Sequence, residues 1–230
     1  MKSDFKPQID FNTVFASNIH DIKNLLFNLL GTLDQAIIES HGGPEGKRME
    51  HLRFNGQRIN DKLVQLLAIY KMSASHCEPD IEHHSVREFI EDQLAETGPL
   101  AEARGITLES QVEEDITWIF DRNLLDGVMA NALHNALAYA KGRVLLSVRK
   151  ERDDFLVLSV SDDGPGYPDK MLRRADGERG HTNFKTGSTG LGLYFCDVVA
   201  AAHHAQQKRG FIKLSNGGLY GGGTFEVWLP

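Results

Sequence analysis

Seven residues, Phe15, Ile19, Ile22, Leu26, Leu29, Leu33 and Ala36, stand alternately four and three apart, and Met49, Leu52, Gly56, Ile59, Leu63, Leu66 and Tyr70 repeat that spacing. This is the period of a coiled-coil seam. Between the runs, His41-Gly42-Gly43-Pro44-Glu45-Gly46 admits only a turn. The pattern predicts two antiparallel helices, each roughly 40 Å long at about 1.5 Å per residue. Two such helices cannot hide both seams from water. A symmetric dimer that closes a four-helix bundle can, so a homodimer is expected.

The 230 residues are 41% hydrophobic, enough for one sizeable domain or two small ones. No apolar run approaches the roughly 18 residues of a membrane helix; the longest, around Leu191 to Ala202, is interrupted by Asp197. The N-terminal Met-Lys-Ser-Asp-Phe-Lys lacks the apolar core of a signal peptide, which predicts a cytoplasmic chain. Cys77 and Cys196 are too few for a disulfide framework or a zinc site, and Cys196 is expected in a helix core. Up to residue 78 nine Lys/Arg balance nine Asp/Glu, so the remainder carries the whole net charge of -7. Such a surface is a poor partner for a nucleic-acid backbone.

Ser, His and Pro79 break the heptads over residues 72–82, predicting a linker between a helical domain of residues 1–78 and a second domain of residues 79–230. Strand patterns follow near Ser85 to Arg87, Ile106 to Val112, Ile116 to Phe120, Arg143 to Lys150, Phe155 to Ser161, Phe211 to Leu214 and Thr224 to Leu229. Helices are expected over about 88–103, from Arg122 to Ala140 behind an Asp121 cap, and from Gly190 to about Ala205. The fold class is α+β: a helical hairpin followed by an α/β sandwich, one sheet under a helical layer.

Three clusters in this second part point to a purine and phosphate pocket. Asn131 and Asn135 share one helix face, and an amide oxygen at Asn135 is a hard neutral ligand suited to Mg²⁺. Asp162 ends an apolar strand, placed to accept a hydrogen bond from an exocyclic amine such as that of adenine; Gly164 and Gly166 behind it let a ring approach the backbone. Gly187-Ser188-Thr189-Gly190-Leu191-Gly192-Leu193 opens a helix, where unpaired N–H groups and the dipole favour phosphate. Between the glycine clusters a polar stretch with Lys170, Arg173, Arg174, Arg179 and Lys185 has the composition of a mobile lid; one or two of these cations are expected to neutralise the terminal phosphate, with Lys185 counted among the nucleotide-binding residues and most of the others solvated. Each cluster alone has an ordinary explanation as a turn or a solvated helix face; their order gives them weight.

On the hairpin, His20 lies beside the seam residue Ile19 and should project from the flank into water. Asp21 can hold its imidazole in one tautomer and accept its proton, and Asn24 follows one turn later. The set has the make-up of a reaction site. Adjacent histidines such as His83-His84 and His203-His204 point apart on regular elements and make poor metal ligands.

From about Phe11 to Pro230 the chain resembles the catalytic core of two-component sensor histidine kinases, a phosphoacceptor hairpin joined to the ATPase domain shared with gyrase, Hsp90 and MutL. Asn131-Ala-Leu-His-Asn135-Ala-Leu-Ala-Tyr139 is similar to the family's metal-binding asparagine box, Asp162 to Gly166 to its adenine box, and Gly187 to Leu193 to its phosphate box. The closing Gly222-Gly223-Thr224-Phe225 resembles the family's last strand, with Thr224 near the nucleotide. The resemblance implies ATP and Mg²⁺ as cofactors, His20 as phosphoacceptor with Asp21 assisting transfer, and Asn24 orienting the water that dephosphorylates the partner. It also implies a response-regulator receiver domain as that partner; barely ten residues precede the hairpin, so either a separate sensor or input protein supplies the signal or the sequence is a fragment. Leu25 stands where the family commonly has proline, and Ala138 where it often has lysine. Two alternatives share the pattern: a phosphotransfer or scaffold protein with a non-catalytic ATP-like domain, and an anti-sigma-type serine kinase, which would need neither the hairpin nor His20.

Overall fold

The computed structural model describes residues 11–40, 43–73, 78–112, 116–151, 154–176 and 190–230. The chain divides into two compact units, Met1–Tyr70 and Lys71–Pro230.

The first unit is a hairpin of α1, Phe11–Glu39, and α2, Pro44–Ser73, whose last turn runs past the unit boundary. A side chain at Gly56 would lie 2.8 Å from Leu30 Cδ2, so α1 and α2 come close where glycine removes bulk from the seam. Ile19 and Ile69 are buried, and Arg53 pairs with Asp34 across the hairpin. Other seam residues stay open: Ile22 is 47% exposed, Leu29 51%, Leu52 56% and Ile59 54%. One face of the predicted seam is packed within the hairpin and the other is bare.

The second unit is built on a five-stranded sheet. Its strands are β2 (Thr107–Val112), β4 (Arg143–Glu151), β5 (Phe155–Asp162), β9 (Gly223–Leu229) and β8 (Phe211–Asn216), in the order β2-β4-β5-β9-β8. β2 and β4 are parallel and the other neighbours antiparallel. Period-two alternation turns Val144, Leu146, Val148, Leu156, Leu158, Val160, Phe225, Val227 and Leu229 to one buried face. Against the sheet pack α3 (Val86–Ala103), α4 (Arg122–Tyr139) and α6 (Gly190–Ala202). The expected single helical layer over one sheet is the observed arrangement.

Several elements differ from expectation, for physical reasons. The strand near Ser85 to Arg87 is Glu82–Ser85 (β1), because Ser85 Oγ accepts the Glu88 N–H at 3.3 Å and caps α3. β1 pairs with β3 (Thr117–Phe120) in a separate two-stranded sheet, so β2 and β3, consecutive in the chain, belong to different sheets. The polar stretch expected as lid contains a short helix, α5, Asp169–Asp176; residues 177–189 lie outside the described set. α6 ends at Ala202, short of Ala205, because His203 is buried and the chain turns into a small hairpin of β6 (His204–Ala205) and β7 (Lys208–Arg209) with Gln206 at φ 55°. The linker is shorter at its start, since α2 continues through Ser73; residues 74–77, with Cys77, are outside the described set. Cys196 is buried in α6, as expected.

Candidate functional site

Asp162 closes β5 on the buried side of the sheet, 8% exposed. Its Oδ1 accepts the Gly164 N–H at 2.7 Å and the Gly223 N–H at 3.2 Å, and its carbonyl accepts the Gly222 N–H at 3.1 Å. Among the described residues Oδ2 accepts no hydrogen bond. The protein thus fixes one carboxylate oxygen with two backbone donors and leaves the other for an incoming donor, an arrangement that suits an amine. The edge of the Tyr167 ring and Oδ2 of Asp162 flank the same point, 2.9 and 3.2 Å from where a side chain on Gly223 would begin. Burial first, and then the neighbouring Asp162 charge and Cys196, push the Tyr167 phenol far above its ordinary range. It stays protonated.

The loop around this carboxylate is braced by polar side chains that the sequence pattern did not single out. Asn216 accepts the Tyr167 N–H at 2.7 Å and donates to the Tyr167 carbonyl at 2.8 Å, holding the chain just after Gly166 to β8. Asp163 Oδ1 accepts from the backbone of Lys141 at 2.7 Å and Gly142 at 3.1 Å, fastening the end of α4 to the same loop. Slight burial acts upward on the Asp163 carboxyl, but the N–H groups of Gly142, Arg143 and Lys141 outweigh it and hold the group below the usual range. These partners are 49 and about 20 residues apart in the chain, beyond what local pattern can link.

The glycines of this loop act differently from expectation. Gly166 has φ +79°, and the space a side chain would need is held by the Asn216 amide at 2.7 Å. Gly164 would meet the Tyr139 carbonyl oxygen at 2.5 Å. Their open sides are thus filled by the chain itself. Asp162 Oδ2 lies instead on the side of Tyr167 and Gly223.

α4 and α6 run antiparallel beside the sheet. Phe195 sits 3.0 Å from where a side chain on Gly127 would begin, and one turn further along α4, Asn131 packs on Gly192. Asn131 is 9% exposed and donates through Nδ2 to Cys196 Sγ at 3.4 Å, while any side chain on Gly192 would collide with its Oδ1. Asn135 comes one turn later along α4, past the point where Gly192 meets Asn131; it is exposed, and its amide has no hydrogen-bond partner among the described residues. A single turn of α4 therefore carries the asparagine pair from a buried helix clamp to an open amide. Leu193 is 5% exposed in the core, Leu191 is half-buried, and Tyr139 is 60% exposed. Thr224 is buried, with Oγ1 3.0 Å from Ser161 Oγ.

The structure brings Asn131, Asn135, Tyr139, Asp162, Gly164, Gly166, Gly190, Leu191, Gly192 and Leu193 into one unit with the Asp162 loop and the α4–α6 pair, whereas Thr224, in the same unit, pairs with Ser161 and is turned to the sheet face opposite Asp162. Lys185, Gly187, Ser188 and Thr189 lie outside the described residues, as do the side chains of Arg173 and Arg174. His20, Asp21 and Asn24 lie on α1 in the other unit; the His20 side chain is outside the described set, and Asp21 and Asn24 are exposed. Among the described residues no group of three His, Cys, Asp or Glu side chains could hold a metal ion. The unengaged amide of Asn135 and the start of α6 at Gly190 instead fit a Mg²⁺ held mainly through phosphate oxygens, and the unengaged Asp162 oxygen beside Tyr167 fits an adenine.

Residues 120–230 match the family of histidine kinase-, DNA gyrase B-, and HSP90-like ATPases. The chain is 26% identical to the sensor histidine kinase GraS of Staphylococcus haemolyticus over 185 residues, 79% of this chain and 52% of GraS. Among solved structures it is similar to the histidine kinase AdeS of Acinetobacter baumannii, with a TM-score of 0.61, 18% identity, and coverage of 91% of this chain and 96% of that one. Full-length ShkA in complex with AMPPNP gives a TM-score of 0.67 at 21% identity, covering 95% of this chain and 46% of ShkA. The chain spans about half the length, or less, of the curated relatives it matches.

Proposed function

We propose that this chain, which has the catalytic core of a histidine kinase, uses ATP to phosphorylate His20 and passes the phosphoryl group to an aspartate on a response-regulator receiver domain. The observation that carries the reading is the Asp162 carboxylate, held by two backbone donors through one oxygen and open through the other, beside Tyr167 and one helix away from the open amide of Asn135. Asp162 takes the adenine amine, and Tyr167 forms a wall beside it. The first turn of α6, with Gly187 to Gly192, presents backbone N–H groups to the phosphates, and Lys185 neutralises the outermost one. Asn135 holds Mg²⁺, which when bound supplies charge neutralisation on the phosphate oxygens.

In the transfer, a nitrogen lone pair of His20 forms the N–P bond as the bond from the γ-phosphorus to the bridging oxygen breaks, and ADP leaves with that electron pair. Asp21 takes the imidazole proton. In the reverse duty, as phosphatase, Asn24 orients the water that attacks the receiver's acyl phosphate. The bare side of the hairpin seam, with Ile22 and Leu29 about half exposed, supports a homodimer that closes a four-helix bundle over residues 1–78, with residues 79–230 as the ATP-binding domain. Among the described residues no helix is long and apolar enough to cross a membrane. The reading places this kinase core in the cytoplasm, beside its receiver partner.

Incubation with γ-labelled ATP and Mg²⁺, followed by receiver domains, tests the reading. The wild-type chain acquires an acid-labile label and loses it to a receiver; His20→Gln binds nucleotide but stays unlabelled. Acid-labile label persisting in His20→Gln would show that another residue is the nucleophile. Asn24→Ala is expected to keep self-labelling and slow receiver dephosphorylation, and equal loss of both would remove its separate role.

A further inference from the structure

His203, the residue after α6, is 3% exposed and makes two hydrogen bonds through its ring. Nδ1 lies 2.8 Å from the Val199 carbonyl, a pure acceptor, so Nδ1 carries the proton and Nε2 presents its lone pair. That lone pair accepts the backbone N–H of Asp121 at 3.0 Å. Burial, the leading influence, and the neighbouring His204 act to keep the ring neutral, against the Val199 carbonyl and the Asp121 charge, so the acceptor is present at neutral pH. Asp121 is itself buried and fully used: Oδ1 accepts the Leu124 N–H at 2.9 Å at the start of α4, and Oδ2 accepts the Asp80 N–H at 2.9 Å from the chain that leads into β1. Three segments meet at this node: the start of α4, the end of α6 and the incoming chain.

The node matters because of what lies at the other end of α6. An antiparallel pair of helices packed mainly through Val, Leu, Phe and Ala is held firmly sideways but weakly along its axis, since one apolar turn substitutes for the next. Polar pins set the axial register. Asn131, through its bond to the Cys196 sulfur, supplies one; the Asp121–His203 bond, which is buried, supplies another at the opposite end of α6. α6 is a rigid rod of 13 residues, about 20 Å long at 1.5 Å per residue, so a shift where His203 is pinned reappears in full at Gly190 and Gly192.

We propose that Asp121 and His203 form a positioning pair that sets where the first turn of α6 stands against Asn135, and that Asp80 ties the incoming chain to the same pin. The proposal rests on the nucleotide reading above, in which that first turn receives phosphate. Neither residue touches the nucleotide. Their effect passes through the register of α6.

Histidine replacements separate this role from packing. Glutamine can place an acceptor near the position of Nε2, whereas asparagine reaches only as far as Nδ1. Titration of the full chain with a Mg²⁺-loaded, non-hydrolysable ATP analogue should show His203→Gln close to wild type and His203→Asn weaker by roughly tenfold, as expected when a rigid contact shifts by a fraction of an ångström. Asp80→Pro, which deletes the N–H donor to the pin, should weaken binding in the same direction by about twofold or more, whereas Asp80→Ala, which loses the carboxylate but keeps that N–H, should bind as wild type. Val148→Ala, in the sheet core, serves as a control: it lowers the melting temperature while keeping affinity. Equal affinities for Gln and Asn, or losses that merely follow melting temperature, would overturn the proposal. Amide exchange at Gly192 and Leu193 in the nucleotide-free chain gives a separate readout, expected to quicken in His203→Asn but not in His203→Gln. If the wild-type chain bound no nucleotide, the functional reading would fall, and unchanged exchange in His203→Asn would sink the positioning pair on its own.

Discussion

In the C-terminal unit Leu146, Leu158 and Val227 are 0% exposed, whereas in the hairpin Ile22, Leu29, Leu52 and Ile59 are each about half exposed and Leu25 and Phe27 are 70% and 75% exposed. The sheet unit closes its core within one chain, because three helices cover one face of five strands. The hairpin has only two helices for a two-sided seam. The contrast teaches that apolar periodicity has different consequences in the two places: in the sheet it is satisfied locally, and in the hairpin it leaves the bare face on which the proposed homodimer rests.

The strongest way to break that contrast is to charge the bare seam. The double variant Ile22→Glu/Leu29→Glu should convert the proposed dimer wholly to monomer in light scattering at micromolar concentration while leaving nucleotide binding by the sheet unit intact. A wild-type chain already monomeric there would remove the need for a partner. Next in size, Leu158→Ala should cost about 2–5 kcal/mol in denaturant unfolding of the sheet unit, the range for deleting a closed-core leucine. Leu29→Ala in the chain held monomeric should cost well below that, and equal costs would erase the distinction. Smaller again, Ser85→Ala removes the α3 cap and should cost about 0.5–2 kcal/mol.

The smallest expected effect is a pH dependence. Burial depresses the His203 pKa in the folded state, with Asp121 and His204 the charged and titratable groups that act on it. Below the unfolded value of about 6.5 the unfolded chain binds a proton that the folded one resists, so this contribution is whole above that pH and declines as pH falls through the window. His203→Gln should flatten the slope of stability against pH below about 6.5. An unchanged slope would assign it to other groups.

What was legible in the sequence follows the range of the interactions involved. Asp121 was evident as a cap because its partner Leu124 is three residues away, and the strand at Phe155 was evident because alternating burial is local. The partition of β2 and β3 into different sheets was not, since strand choice depends on Arg143 and Glu82, far along the chain from each. Asp162 stood out through the glycines behind it, but their packing against Tyr139 and Asn216 needed the folded chain. Tyr167 carried no signal at all, because one aromatic after a glycine turn looks like any other. α5 was hidden by its charge, which resembles that of a loop.

The claim on which the rest depends is that an adenine nucleotide seats against Asp162. Calorimetric titration of ATP with Mg²⁺ into the wild-type chain and into Asp162→Asn measures it directly. The account predicts one saturable site per chain in the wild type and its loss in the variant, which keeps the shape of the carboxylate but replaces one acceptor oxygen with a donor. Absence of binding by the wild type, or equal affinity in Asp162→Asn, would contradict it.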